Sequence, residues 1–392
     1  MTATPTRILP LLVLSQFAAT SVWFAGNAIY PDLQQHLALG FDITPKLTIA
    51  VQLGFISGTL LYAIYMIPDR FSPAKVFLVS SSLAAVFNIA LVFSPPFWLM
   101  FASRFSVGLF LAGVYPVGMK IASDWYPKYL GHALGFLVGA LVIGTSFPHL
   151  IKTFSLGLPW QVVLIVTSIL AIASGLIVQY GIGDGPNRKK GKEFSFRVFL
   201  QMFKNKMFNR ASLGYFGHMW ELYTFWAFVP LLLTYFNESA NVYLNVSLWS
   251  FLAIAAGGLG SVIGGIYSRR MGSCRVAFVS LSFSSLCAML SVFFFSLPVA
   301  IFLFLLLLWG FFVVMDSPQF SSVIADYAPK EFLGSALTIV NSIGFGLTII
   351  SLEVTDRLAF LEEHRFWVLA IGPLLALIPT GKIAFRKNFP AL

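Results

Sequence analysis

Twelve long apolar runs make up most of this chain, and no soluble fold can bury that many. A membrane-crossing helix needs about 20 apolar residues. The candidates are residues 8–30, 48–67, 75–93, 97–121, 131–151, 158–180, 211–235, 242–267, 275–295, 299–323, 334–354 and 365–385. The runs are continuous rather than alternating, which excludes a β-barrel. Only 10% of the 392 residues are charged, against roughly 25% in soluble domains. The first run is too long for a signal-peptide core and reads as a retained helix.

Charge then orients the runs. Residues 185–210 hold eight of the 25 Lys and Arg residues: Arg188, Lys189, Lys190, Lys192, Arg197, Lys204, Lys206 and Arg210. A basic cluster beside membrane-length segments marks a cytoplasmic loop. With both termini cytoplasmic, twenty basic residues fall on the inner side and four, Lys46, Lys152, Arg357 and Arg365, on the outer. Arg104 is the exception, placed well inside a run. The net charge of +10 therefore reports orientation in a membrane, not nucleic-acid binding. Cys274, in a short basic loop, and Cys287, in an apolar run, suggest neither a disulfide nor a metal site.

The chain also repeats itself. Asp69-Arg70-Phe71-Ser72-Pro73-Ala74-Lys75-Val76 follows the second run, and Arg269-Arg270-Met271-Gly272-Ser273-Cys274-Arg275-Val276 follows the eighth, about 200 positions later. Ile121-Ala122-Ser123-Asp124-Trp125-Tyr126-Pro127-Lys128 after the fourth run is matched by Ile324-Ala325-Asp326-Tyr327-Ala328-Pro329-Lys330 after the tenth. Pro116 and Pro318 correspond as well. The expected fold is all-α and integral to the membrane: twelve transmembrane helices in two pseudo-symmetric six-helix bundles. The expected divisions are residues 1–182, a basic linker at 183–207, and residues 208–392.

At this level the chain resembles the major facilitator superfamily over essentially its whole length. Asp69, Arg70 and Lys75 look like that family's G-x-x-x-D-R-x-G-R loop, without its glycines. The second copy keeps Gly265, Arg270, Gly272 and Arg275 but has Arg269 in place of the acid. The resemblance implies a gating loop that stabilises the outward-facing state. Arg104 with Gly108 resembles the R-x-x-x-G element of proton-coupled members. Gly135, Gly139, Gly144 and Pro148 resemble a degenerate antiporter motif, although small residues at one-turn spacing also simply let helices approach. Neither the second nor the eighth run contains the arginine of the family's nitrate porters.

Charge inside a bilayer costs about 2.5–3.5 kcal/mol on insertion scales, so it is rare and usually functional. Arg104, Glu221, Asp316 and, at the end of the eleventh run, Glu353 qualify. Lost solvation favours the neutral form of a carboxyl group, which suits proton exchange. His218 lies three residues before Glu221 and so shares its helical face. The expected proton-coupling set is Glu221, Asp316 and His218. Gln16, Thr20, Trp23 and Asn27 form a one-turn stripe on the first helix; Asn341, Phe345 and Thr348 form another on the eleventh. With Arg104, Tyr115, Tyr215, Trp220 and Phe225, these are the expected substrate contacts. His149 reads as the outer end of the fifth helix.

The expected function is secondary active transport, coupled to protons, of a small organic and anionic solute by alternating access. A proton-driven exporter of hydrophobic or cationic drugs is the alternative. A non-transporting membrane sensor or scaffold is the alternative of another class. No nucleophile elbow, metal cluster or P-loop pattern points to an enzyme, and no cofactor is implied. The expected partners are solute, protons and lipid, without nucleic acid. The expected form is a monomer in a bacterial inner membrane.

Overall fold

The computed structural model describes residues 5–126, 130–155, 158–188, 202–328 and 333–385. Lys128, Lys189, Lys190, Lys192, Arg197, Lys330, Arg386 and Lys387 lie outside these residues. The described chain is helical, with no strand among the described residues. It divides into two compact units, Met1–Glu193 and Phe194–Leu392.

The first unit carries α1 (Ile8–His36), α2 (Thr44–Ile64), α3 (Pro73–Phe93), α4 (Phe97–Trp125), α5 (Leu130–Phe154) and α6 (Gln161–Ile182). The second carries α7 (Lys206–Ala240), α8 (Val246–Met271), α9 (Ser273–Ser296), α10 (Val299–Tyr327), α11 (Leu333–Arg357) and α12 (Ala359–Ala384). Eleven helices among the described residues are long and apolar enough to cross a membrane. The remaining one is α7, which has 35 residues but whose apolar run is interrupted by His218 and Glu221.

Local chemistry sets the helix ends. Ser72 caps α3, its hydroxyl accepting from Lys75 N at 3.3 Å, with Pro73 in the first turn. Asn205 and Asn245 cap α7 and α8 in the same way. Gly272 closes α8 at φ 84°, a conformation that favours glycine. Four helices, α1, α4, α10 and α12, are broken within their length. In α4 and α10 the second segments, Tyr115–Trp125 and Ser317–Tyr327, open on Pro116 and Pro318. Proline cannot donate to the preceding turn, so the break follows from the residue. In α1 the break falls at residues 21–24, where there is no proline.

Several expected positions shift. The first helix does not end at Tyr30 but resumes after its break and runs to His36, through Pro31. Cys274 is buried in the first turn of α9 rather than in a loop, because Gly272 has already turned the chain. His149 does not end α5, which continues past Pro148 to Phe154; its side chain is buried. Arg365 leaves the outer loop. It is buried in the 3-10 segment Ala359–Ala370, which turns sharply at Glu362 before Ile371–Ala384 continues α12.

Two glycines fix the tightest crossings. A Cβ on Gly108 would fall 2.0 Å from the Val51 carbonyl oxygen, where α4 crosses α2. A Cβ on Gly310 would fall 1.9 Å from the Ala253 carbonyl oxygen, where α10 crosses α8. Each unit thus has the same close backbone contact at the corresponding place in its sequence. Gly144 makes a similar approach, to Phe17 on α1, whereas a Cβ on Gly135 or Gly139 meets nothing within 4 Å. Gly108→Ala should therefore destabilise the protein by about 2–3 kcal/mol, as backbones are forced apart. Gly135→Ala should be neutral or slightly stabilising, since alanine is the better helix former. Thermal melts of the two purified variants check this; a Gly108→Ala protein that melts like wild type would refute the crossing.

Candidate functional site: buried charge within each unit

In the second unit, α7 brings two titratable side chains into the packed interior. His218, Glu221 and Asp316 are 1%, 1% and 0% exposed. The Trp309 indole N–H donates to Glu221 Oε1 at 2.7 Å, and the Ser284 hydroxyl donates to Oε2 at 2.8 Å. Phe225, one turn on, packs its ring 4.7 Å from Trp309. Among the described residues no Lys or Arg pairs with Glu221. Both of its partners are neutral, so they satisfy the group without fixing its charge. Ser284 can donate to a carboxylate or accept from a carboxylic acid, and Trp309 can donate to Oε1 in either state. The carboxyl group can take up or release a proton and keep both contacts.

A second pair lies beside the first. His218 Nδ1 stands 2.9 Å from Asp316 Oδ1. Asp316 sits at the break of α10, immediately before Ser317 and Pro318. His218 Nε2 has no protein partner among the described residues. The Tyr215 ring is 5.8 Å from the imidazole. These residues share the α7 face that meets α9 and α10. Other expected site residues point elsewhere within the unit. The Trp220 indole donates to Val368 O at 3.0 Å on α12. Phe345 packs 5.0 Å from Tyr223, and Thr348 donates to Met219 O at 2.7 Å. Asn341 is half-buried on α11. Glu353 is at the surface, paired with Arg357 at 2.8 Å.

In the first unit the buried charge is Arg104, and it is held by acceptors on two helices. Its Nη2 donates to Trp23 O at 2.5 Å and Val22 O at 3.3 Å. Its Nη1 donates to Asn88 Oδ1 at 3.0 Å and Val22 O at 3.4 Å. Val22 and Trp23 lie in the break of α1. Arg104 is therefore the side chain inserted at that break, a recognised cause of a helix kink. Asn88 is held in turn, its amide donating to Thr167 Oγ1 and Ser168 Oγ, both at 3.0 Å.

Around this clamp the α1 stripe packs against its own unit. Asn27 donates to Thr48 Oγ1 at 2.8 Å, and the Trp23 ring lies 4.7 Å from Phe55. Thr20 donates to its own helix at Gln16 O, 2.8 Å away. The amides of Gln16 and Gln52 are buried without a protein partner among the described residues. Tyr115 is half-buried at the start of the second segment of α4.

The gating-loop residues divide. Asp69 pairs with Lys120 at 2.9 Å. Arg188, just beyond α6, donates to Asp69 O and Phe71 O and pairs with Asp184 at 3.2 Å. Asp184 in turn accepts from Ser72 Oγ and Ala74 N, at the start of α3. Arg70, Lys75 and Arg270 are exposed. Arg275 donates to Ala384 O at 3.2 Å. Asn88, Ser284, Trp309 and Gln52 escaped the sequence reading: nothing in their neighbourhood distinguishes them from ordinary members of an apolar helix. Asp184, Arg188 and Arg365 were visible only as charges.

Arg104→Ala would leave three buried acceptors without their donor. The loss should be about 3–5 kcal/mol, as for removing one partner of a buried charged contact. Unfolding of the purified variant measures it. A midpoint equal to that of wild type would show that Arg104 does not brace α1.

Comparison with known proteins agrees with this architecture. The Major Facilitator Superfamily pattern matches residues 12–352. The probable sulfoacetate transporter SauU of Cupriavidus necator is 23% identical over 307 residues, covering 71% of this chain and 70% of the relative. The niacin transporter NiaP of Acinetobacter baylyi is 26% identical over 190 residues, 43% of this chain and 41% of that protein. The gentisate transporter of Corynebacterium glutamicum is 26% identical over 175 residues, 42% and 38%. With eleven membrane-length helices and a family match over most of its length, the chain belongs to the Major Facilitator Superfamily and is a multi-pass membrane transporter, not an enzyme.

Proposed function

We propose that this transporter moves a small organic anion by proton-coupled alternating access, with Glu221 as the main proton carrier. The observation that carries the reading is the neutral setting of Glu221. Its two oxygens are bonded to Trp309 and Ser284, and neither partner changes charge when the proton moves. A buried carboxylate paired with arginine would instead be pinned in its ionised form. The His218–Asp316 contact supplies a second acid–base pair on the same two helices, α7 and α10.

The solute class rests on the relatives. Sulfoacetate, niacin and gentisate are small organic acids. The buried amides of Gln16, Asn27 and Gln52, together with Trp23, are the solute contacts proposed in the first unit. Arg104 acts on them indirectly, by holding the break of α1 that carries Trp23. The two compact units serve as six-helix halves joined by the basic linker. Both termini face the cytoplasm of a bacterial cell, on the side where the basic residues gather. The monomer is the working form.

Proteoliposomes test the coupling. Wild-type protein should accumulate at least one of sulfoacetate, nicotinate and gentisate when a pH gradient is imposed. Glu221→Gln, which fixes the neutral form, should retain counterflow exchange yet lose gradient-driven accumulation. A Gln variant that still concentrates solute moves the coupling to Asp316. Failure of wild type on all three solutes removes the substrate class.

A further inference from the structure

Arg365 is the second buried arginine among the described residues, and its surroundings differ from those of Arg104. Only 3% of its surface is exposed. Its guanidinium lies 5.2 Å from the ring centre of Phe228 and 5.7 Å from those of Tyr235 and Phe366. Its protein hydrogen bond, Nη2 to the Tyr235 hydroxyl, is long at 3.4 Å. Nε is buried without an acceptor. No Asp or Glu among the described residues forms an ion pair with it, although Glu362 and Glu363 stand close in sequence. Arg104 is bonded to three acceptor groups; Arg365 has aromatic faces and one phenol.

Aromatic faces attract a cation but do not replace the acceptors its N–H groups lose on burial. A guanidinium presents five donors in a planar fork that matches carboxylate or sulfonate oxygens. The buried rings of Phe228 and Phe366 wall the apolar sides of the guanidinium. The Tyr235 hydroxyl can donate to the same anion. All four residues belong to the second unit, on α7 and at the start of α12, at the helix ends opposite Arg269, Arg270 and Arg275.

We propose that Arg365, with Tyr235 and the rings of Phe228 and Phe366, forms an anion-recognition site for the carboxylate or sulfonate of a small organic acid. The proposal rests on the reading that the transported solute is an organic anion and names a contact for its charged group. Arg365 is then a binding residue, separate from the Glu221 and His218–Asp316 groups.

Binding to the purified full-length protein tests the site, with benzoate and benzenesulfonate as probes and benzamide as the uncharged control. Wild type should bind the two anions and not benzamide, reading binding by thermal shift and by equilibrium dialysis. Arg365→Gln should lose affinity by at least about tenfold, the loss expected for removing a charged partner. Arg365→Lys should lose less, because it keeps the charge without the fork. Tyr235→Phe should weaken binding several-fold and melt close to wild type. Unchanged affinity in a folded Arg365→Gln protein overturns the site. If that variant does not fold, unchanged affinity in both Arg365→Lys and Tyr235→Phe overturns it. Failure of wild type to bind either anion overturns it as well. None of these results touches the uptake of sulfoacetate, nicotinate or gentisate, so the substrate class stands or falls on its own assay.

Discussion

Where water is absent, every broken helix must find donors for its free carbonyl groups, and the first unit depends on how this is done at residues 21–24 of α1. Three carbonyl contacts and one amide oxygen converge on the guanidinium of Arg104. An uncompensated carbonyl in an apolar interior costs roughly 1–3 kcal/mol, and a buried guanidinium without acceptors costs more. Each therefore solves the other's difficulty. The arrangement needs α4 to bring Arg104 to α1, which needs Gly108 to let α4 lie against α2. It also needs α3 to hold Asn88, which α6 orients through Thr167 and Ser168. Four of the six helices of the unit, α1, α3, α4 and α6, are bound into one polar knot, and α2 packs against it through the Gly108 crossing.

The second unit places two acids, Glu221 and Asp316, in its interior. The α10 break follows from Pro318, and the residue preceding the new segment is Asp316. Its carboxylate faces His218, one turn from Glu221 on α7. The partners of Glu221 are neutral, unlike the cation that serves the first unit. A fixed charge braces a fold; a group that can be charged or neutral with the same neighbours can change state without dismantling them. The two units share the glycine-based crossings and proline positions of their repeat. They differ in the chemistry at their centres.

Much of this was legible in the sequence because the membrane makes residue type informative. Apolar runs give the helices, basic residues mark their ends, and rare buried charges flag Arg104, Glu221 and Asp316. What stayed hidden is what depends on crossings between distant helices. Ser284 and Trp309 are common residues of apolar helices, and only the packing of α9 and α10 on α7 makes them partners of Glu221. Residues 21–24 contain neither proline nor glycine, so the break in α1 has no local signal; its cause stands on another helix. Arg365 was counted as an outer-side charge because a lone arginine near a helix end ordinarily reaches water. Here the 3-10 segment turns it inward among aromatic rings.

The oddity of α7 follows from the same physics. It is the helix whose composition is too polar for the eleven membrane-length candidates, yet every residue from 221 to 229 on it is buried. A helix buried on all faces does not rely on lipid for its stability. Its partners are protein: Thr348 bonds to its Met219 carbonyl, Ser351 to Thr224, and Val368 to Trp220. Gly217 lies against Gly372 so closely that a Cβ would fall 2.4 Å from the Gly372 carbonyl oxygen. Enclosed in this way, α7 can carry His218 and Glu221 without exposing either to hydrocarbon. The cost of placing titratable groups in a membrane falls on the packing of neighbouring helices, and that packing is what lets His218 and Glu221 stand there.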